Sequence, residues 1–145
     1  MLRLAMMALA TGFSLGTGDL VSPTGQPVSL DDLLARGPAV VVFWNSWLPQ
    51  SADFLRLLPE IEAAAQRAAM PGLIVLFQDG AGAAIGSLSE SRLRIAIDRR
   101  GTLLRRLQVT RAPAVLIVER DGRVRAMAGP RAAEVRQVLA ALGQK

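Results

Sequence analysis

This chain offers neither a thiol nor an imidazole for chemistry, because its 145 residues include no cysteine and no histidine. That composition excludes disulfides, thiolate nucleophiles, the usual zinc sites and imidazole acid–base catalysis. Ser51 carries a hydroxyl, but no histidine is present to activate it as a nucleophile. The carboxylates show no metal-ligand spacing and are expected to cap helices, form turns or face solvent. We therefore expect no catalytic residue, no bound metal and no cofactor.

The glycine-rich segment 80–86 is the one pattern that points toward an enzyme. Gly80, Gly82 and Gly86 resemble a dinucleotide-binding fingerprint with one extra residue before the last glycine. Asp98 lies downstream at a spacing that suits recognition of a ribose hydroxyl. However, too little chain follows the segment to hold a full crossover helix before the next apolar run. We interpret it as a glycine and alanine loop, and a nucleotide-binding enzyme that uses Gly80 to Gly86 remains an alternative.

The positive charge of the chain is spread rather than clustered. Its formal net charge is +5, and a basic protein can bind nucleic acid or an anionic membrane surface. Only Arg99-Arg100 and Arg105-Arg106 are adjacent arginine pairs, so no binding footprint is visible in the sequence. A basic surface binder of nucleic acid or membrane therefore remains a second alternative. We expect no nucleic-acid partner, and at most a peripheral contact with a membrane.

The length of the chain indicates one domain, which can bury a core without disulfides or metals. We assign residues 16–145 to that domain and residues 1–15 to either a signal remnant or an N-terminal arm. The apolar run 4–10 ends in Ala8-Leu9-Ala10, which resembles a signal cleavage site. The run is far too short to span a bilayer. These features slightly favour a periplasmic or extracytoplasmic location over a cytoplasmic one and leave the compartment open.

Hydrophobic patterning predicts strands and helices in alternation along most of the chain. Short apolar runs predict strands at 39–44, 73–77, 93–97, 114–118 and 124–128. Helical spacing predicts a helix from Ser51 or Asp53 to about Met70, kinked at Pro59, and an amphipathic helix over 132–142. This order predicts an α/β fold with a central mixed sheet and helices on both faces.

Two shorter helical segments are also predicted between these elements. Asp31 or Asp32 is expected to cap a short helix that runs through Leu34 and ends before Gly37. A helical turn is expected at 103–107. Asp121-Gly122 predicts a tight hairpin turn that brings the strand at 124–128 back as the edge of the sheet.

Several segments, in this order, resemble the thioredoxin fold. Residues 41–51, VVFWNSWLPQS, resemble the strand and active-site loop of the TlpA/ResA-like exported thioredoxins, whose motif reads roughly VVxFWxxWCxxC. Residues 109–115, VTRAPAV, resemble the cis-proline segment of the family, VxGxPxx. The strand and turn at 116–124, LIVERDGRV, resemble its LIDxDGxV. Together these motifs cover roughly residues 19–142 and imply a thioredoxin-like fold.

The motif can be aligned in two registers, and both leave the redox pair empty. In the TlpA/ResA-like register, Leu48 and Ser51 stand where the two cysteines would be. In a MauD-type register, residues 49–59, PQSADFLRLLP, match the frame PTCPVCKKLLP, and Ser51 and Phe54 replace the cysteines. The second register places Pro59 at the usual distance for a helix kink, whereas the first keeps both tryptophans of the motif.

The resemblance, combined with the absence of cysteine, implies a binding protein rather than an oxidoreductase. The degenerate redox loop would consist of Trp47, Leu48, Pro49, Gln50, Ser51 and Phe54. In the family, the cis-proline segment lies beside this loop and exposes backbone that pairs with an extended peptide. We therefore expect a redox-inactive, non-catalytic binding or accessory subunit that contacts a protein partner through Trp47, Pro49, Ala112 and Pro113. The rival interpretation is an inert scaffold in which both tryptophans are core residues and Ser51 only caps a helix.

Overall fold

The computed structural model describes residues 20–77, 85–88 and 91–142. The segment expected to be a signal remnant or an N-terminal arm, 1–15, lies outside these residues, as does most of the glycine-rich segment 80–86. Within the described part of the chain, no helix is both long enough and apolar enough to cross a membrane.

Within the described residues, six strands form one mixed sheet in the order β1-β4-β3-β2-β5-β6. The strands are β1 (Leu20–Val21), β2 (Ala39–Trp44), β3 (Gly72–Phe77), β4 (Arg94–Asp98), β5 (Ala114–Val118) and β6 (Val124–Ala128). The strands β2, β3 and β4 run parallel, whereas β1, β5 and β6 pair antiparallel with their neighbours. All five predicted strands are present, and none is displaced by more than one residue. The two-residue β1 lies outside the prediction because it is too short to show a pattern.

The helices of the described residues lie between the strands as the pattern predicts. They are α1 (Leu30–Leu34), α2 (Ser51–Leu55), α3 (Leu58–Arg67), α4 (Thr102–Arg106) and α5 (Ala132–Leu142). The expected cap of α1 is wrong. Ser29 is the capping residue, and its hydroxyl accepts a hydrogen bond from the Asp32 amide at 3.1 Å. Asp31 and Asp32 are already helical, in the first turn, where their charge favours the positive end of the helix.

The single kinked helix predicted around Pro59 is two helices. The regular helical hydrogen bonding is interrupted between Leu55 and Leu58, although the chain keeps helical dihedral angles there, and Pro59 lies in the first turn of α3. A proline is tolerated there because the amide it lacks would have no partner within the helix. The interruption therefore precedes Pro59 rather than following it.

Two apolar layers, one on each face of the sheet, form the core. Alternate residues of β2 explain the division, since Val40, Val42 and Trp44 face α2, α3 and α5, whereas Ala39, Val41 and Phe43 face α1 and α4. Every residue of β2 and β5 is buried, which explains why their apolar residues are consecutive instead of alternate. This arrangement is the thioredoxin-like α/β fold that the sequence predicts, with helices on both faces of a mixed sheet.

One edge of the sheet carries the segments singled out by the sequence. The parallel strands β2 and β3 end there, while the antiparallel β5 begins there, since Phe43 pairs with Ala114 and Trp44 with Leu76. The loop after β2 and the residues before β5 are therefore neighbours. Strand pairing alone brings residues 45–50 next to Ala112 and Pro113.

Candidate functional site

The loop that follows β2 is held in place by Asn45. This side chain is fully buried, its amide nitrogen donates a hydrogen bond to the carbonyl of Phe77, and its carbonyl oxygen accepts from the Ser46 amide at 2.8 Å. A buried amide with both ends paired joins the end of β2 to the end of β3. Asn45 is a positioning residue that the sequence analysis did not single out.

The two tryptophans of the motif have opposite environments. Trp44 is buried in the core, and its indole nitrogen donates a hydrogen bond to the Ser51 carbonyl at 2.9 Å. Trp47 is 55 % exposed. One side of its ring meets the edge of Phe77, with ring centroids 6.0 Å apart and an interplanar angle of 75°. The interpretation that both tryptophans are core residues is therefore wrong for Trp47, because the chain turns outward after Asn45.

The positions that would hold cysteines have no redox chemistry. Leu48 lies before α2 and packs against the apolar layer that contains Phe43. Ser51 begins α2, is buried, and donates its hydroxyl to the Ser46 carbonyl at 3.0 Å. Phe54 is buried in the opposite apolar layer, beneath α2. The serine thus closes the loop onto the helix, and the leucine and phenylalanine are packing residues.

The segment before β5 has the geometry that the resemblance implies. The Ala112–Pro113 peptide bond is cis. Pro113 is buried, however, while Ala112 is half-buried, so the expectation that Pro113 itself contacts a partner needs correction. A Cβ atom built on Gly129 would lie 2.5 Å from the Pro113 carbonyl oxygen. The start of β5 is therefore covered by the chain at the end of β6, and accessible surface remains at Ala112.

The remaining loop residues form the outer rim of the site. Pro49 and Gln50 are exposed, next to Trp47 along the loop. We call the surface formed by Trp47, Pro49 and Ala112, with Pro113 beneath it, the docking groove. Its walls are apolar, and no titratable side chain lies among these four residues.

The candidate nucleotide site is not supported at its acidic residue. Asp98 is fully buried at the end of β4, and one carboxylate oxygen accepts the Leu104 amide at 3.0 Å. A carboxylate enclosed in this way cannot reach a ribose hydroxyl. In the sheet, Asp98 pairs with Phe77 at the end of β3. Its structural role is to bind an amide in the first turns of α4.

Metal binding finds no support in the described ranges. No group of three or more acidic, histidine or cysteine side chains converges on a common point in residues 20–77, 85–88 and 91–142. The carboxylates instead form exposed ion pairs and turn contacts. Asp121, for example, binds the backbone and side chain of Arg123 in the hairpin turn, and these contacts hold the pKa of its carboxyl below the ordinary value.

Solved structures provide the comparison with known proteins. A protein from Chlorobium tepidum assigned as the thiol:disulfide interchange protein DsbE is similar to this chain with a TM-score of 0.68 and 26% identity, over 90% of this chain and 100% of that one. A secreted disulfide oxidoreductase of Mycobacterium tuberculosis, homologous to E. coli DsbE, has a TM-score of 0.66 and 22% identity, over 83% and 92% of the two chains. A thio-disulfide isomerase from Thermus thermophilus has a TM-score of 0.60 and 24% identity, over 87% and 92%. No family profile and no curated protein sequence matches the chain.

These similarities agree with the fold. The similar structures carry names of thiol–disulfide enzymes, and they match most of this chain from end to end. At the corresponding loop this chain has Trp47-Leu48-Pro49-Gln50-Ser51 and no cysteine anywhere. With a mixed sheet, a cis-proline before β5 and a loop without cysteine after β2, the chain has the thioredoxin-like fold of these structures and lacks a thiol pair.

Proposed function

We propose that this protein binds an extended segment of a protein partner in the docking groove and acts as a redox-inactive accessory subunit. The exposure of Trp47 carries the proposal. It is the only large hydrophobic side chain that is exposed among the described residues. Tryptophan is enriched among the residues that dominate protein interfaces, because it buries a large area with few rotatable bonds.

The geometry around Trp47 favours binding over accidental exposure. The loop is tied to its surroundings by the hydrogen bonds of Trp44, Asn45 and Ser51. The edge contact with Phe77 restricts the ring further. An anchor that is already ordered in the free protein loses less conformational entropy when a partner binds.

The opposite wall of the groove offers backbone to an extended chain. The ladder between β2 and β5 ends at the pair Phe43 and Ala114, so Ala112 lies beyond the last paired residue. An extended segment that lies across Ala112 can pair with this backbone and place a side chain against Trp47. Main-chain hydrogen bonds supply affinity in this mode, and the pocket for the side chain supplies selectivity.

A selection experiment tests the proposal directly. A phage-displayed library of random linear peptides is panned against the purified protein, and the selected peptides are synthesised and titrated. Trp47→Ala should weaken their binding by at least roughly tenfold, as expected for an interface anchor. Arg67→Ala is the matched control, because Arg67 is exposed in the last turn of α3, which leads to the opposite edge of the sheet.

The outcomes separate binding from an inert scaffold. Peptides that lose affinity for Trp47→Ala and keep it for Arg67→Ala support the groove. Peptides that bind both variants equally, or a library that yields no binder, contradict it. The variants must melt at similar temperatures for the comparison to hold, which the exposure of both side chains leads us to expect.

An extracytoplasmic location forms part of the same proposal. The similar structure from Mycobacterium tuberculosis is that of a secreted protein. Structural disulfides, on which thiol–disulfide enzymes act, persist in oxidising compartments outside the cytoplasm. Fractionation of cells that express the tagged full-length chain provides the test. Recovery in the extracytoplasmic fraction supports this placement, and retention with cytoplasmic markers contradicts it.

A further inference from the structure

A cleft of about 500 Å³ opens beside the docking groove. It lies between α2, the residues before the cis-proline and the start of α5. Its polar lining residues are Gln50, Asp53, Arg56, Arg111, Arg131 and Arg136. We call it the arginine cleft. Its volume falls within the range of about 300–1,000 Å³ that is typical of ligand sites.

The lining of this cleft is strongly cationic although the arginines are scattered in the sequence. Four arginines line it, and Asp53 is the single carboxylate among the lining residues. The four arginines come from three separate parts of the chain, which explains why no cluster is visible along the sequence. The first turn of α5 adds backbone amides on the same side, where the helix end is positive.

Two of the four arginines are already engaged with carboxylates. Arg136 binds both oxygens of Glu60 at 3.0 Å, and this hydrogen bonding holds the pKa of the Glu60 carboxyl below its ordinary value. Arg56 lies 3.8 Å from Asp53. By contrast, no carboxylate within the described residues lies at ion-pairing distance from Arg111 or Arg131, so these two guanidinium groups have charge to offer a ligand.

The arginine cleft is continuous with the docking groove. Arg111 directly precedes Ala112, and Gln50 directly follows Pro49. A peptide in the groove advances by about 3.3 Å per residue when extended. One or two residues beyond the contact with Ala112, its side chains can therefore reach the guanidinium groups of the cleft.

We infer that the arginine cleft is a subsite for an aspartate or glutamate of the segment that binds in the docking groove. The inference rests on the proposed function and specifies the partner, which is an acidic extended peptide. A carboxylate matches the two-pronged geometry of a guanidinium group. Peptide is favoured over nucleic acid because the cleft adjoins an apolar groove in which Trp47 is the exposed aromatic ring among the described residues. Proteins that bind single-stranded nucleic acid instead combine a basic track with several aromatic residues.

The test compares peptide selection on charge-matched variants. The library is panned in parallel against the wild type, Arg111→Gln/Arg131→Gln and Arg36→Gln/Arg67→Gln. Arg36 and Arg67 are exposed at the opposite edge of the sheet, so the second double variant removes the same net charge elsewhere. Peptides from the wild type should be enriched in aspartate or glutamate on one side of an apolar position.

The expected result is a loss of the acidic preference in Arg111→Gln/Arg131→Gln alone. That variant should bind the wild-type peptides roughly tenfold more weakly, which corresponds to two exposed charge pairs. Raising the salt concentration should remove most of this difference, because exposed charges are screened. The Arg36→Gln/Arg67→Gln variant should keep both the preference and the affinity.

Each other outcome contradicts the inference in a recognisable way. Two results contradict the acidic subsite and leave the proposed docking groove supported. In one, the selected peptides depend on Trp47 and yet show no preference for acidic residues; in the other, they keep that preference in Arg111→Gln/Arg131→Gln. Peptides that do not depend on Trp47 overturn the proposed function as well. A labelled duplex DNA is titrated in parallel. If the DNA binds more tightly than any selected peptide, and this binding is lost in Arg111→Gln/Arg131→Gln, the cleft is a nucleic-acid site instead.

Discussion

At the scale of single residues, hydrogen bonds and apolar contacts shape the loop after β2. Ser51 donates its hydroxyl to the Ser46 carbonyl, and Leu48 packs against the core layer. The loop is therefore closed without a disulfide. Trp47 is the large hydrophobic side chain of the loop that faces solvent.

The two tryptophans should respond differently to truncation. Trp44→Ala removes a side chain that is only 1% exposed. The substitution should lower the free energy of unfolding by about 3–5 kcal/mol. Trp47→Ala should lower it by about 1 kcal/mol or less, through loss of the edge contact with Phe77. Urea denaturation of both variants measures the difference. Equal destabilisation would place Trp47 in the core and contradict the docking groove.

The two cysteine registers can be separated by substitution. The Ser51 amide donates to the Leu48 carbonyl at 3.1 Å, which closes a turn and brings the two Cα atoms within disulfide reach. Leu48→Cys/Ser51→Cys should therefore form a disulfide on mild oxidation, as shown by mass spectrometry. Ser51→Cys/Phe54→Cys removes a buried ring and should destabilise the protein by about 3–5 kcal/mol. A disulfide that forms only in the second variant would support the MauD-type register.

At the scale of elements, contacts between segments distant in sequence hold the edge that carries the docking groove. The end of β6 packs directly on the residue before β5, since Gly129 touches the Pro113 carbonyl. On the other side, α3 and α5 are joined by the ion pair of Glu60 with Arg136. Both contacts support the rim of the arginine cleft.

The junction between β6 and α5 should not tolerate a side chain. Gly129 has a φ of +132°, and an added Cβ would lie 2.5 Å from the Pro113 oxygen. Gly129→Ala should therefore lower the free energy of unfolding by about 2–4 kcal/mol, through backbone strain and overpacking. Gly86→Ala is the control, because nothing lies within 4 Å of its added Cβ, and it should change stability by about 1 kcal/mol or less. Similar thermal melts for the two variants would contradict this contact.

The pair between α3 and α5 should make a small, pH-dependent contribution to stability. Hydrogen bonding by Arg136 lowers the pKa of the Glu60 carboxyl in the folded state. The contribution is therefore present above the ordinary pKa of a glutamate and is lost as the pH falls through the lowered value. Glu60→Gln should melt slightly below the wild type at neutral pH, and the two curves should converge in acid. A difference in melting temperature that persists in acid would show that the pair is not its cause.

At the scale of the whole molecule, the fold contains no disulfide, because the chain has no cysteine. Apolar layers on both faces of the sheet and a chain of 145 residues suffice for a core. The scaffold therefore does not depend on a thiol pair.

The purified protein should not catalyse disulfide exchange. Insulin reduction should stay at the uncatalysed rate in every redox buffer, because the chain has no thiol to form a mixed disulfide. Leu48→Cys/Ser51→Cys is the comparison, since it restores two thiols at the start of α2. Turnover by the wild type above the buffer rate would refute the absence of redox activity.

The sequence by itself determined the chemistry that this protein lacks and most of its architecture. The absence of cysteine is a property of composition and does not depend on any contact. The strands β2 and β5 were predictable because a continuous apolar run is a local signal of a strand that is buried on both faces. The strand β6 was predictable because the Asp121-Gly122 turn before it is also a local signal. The boundaries of β2, β5, β6 and α5 agree with the prediction.

Only the tertiary structure decided which residues meet at the site. Trp44 and Trp47 belong to one motif, and their opposite exposure depends on the pairing of β2 with β3 and β5. Arg56, Arg111 and Arg131 form a cleft because α2, the segment before β5 and the start of α5 converge at one edge of the sheet. Such contacts join residues that are far apart in the chain, so a local sequence pattern cannot predict them. For this reason the sequence indicated the loop, while the docking groove and the arginine cleft required the fold.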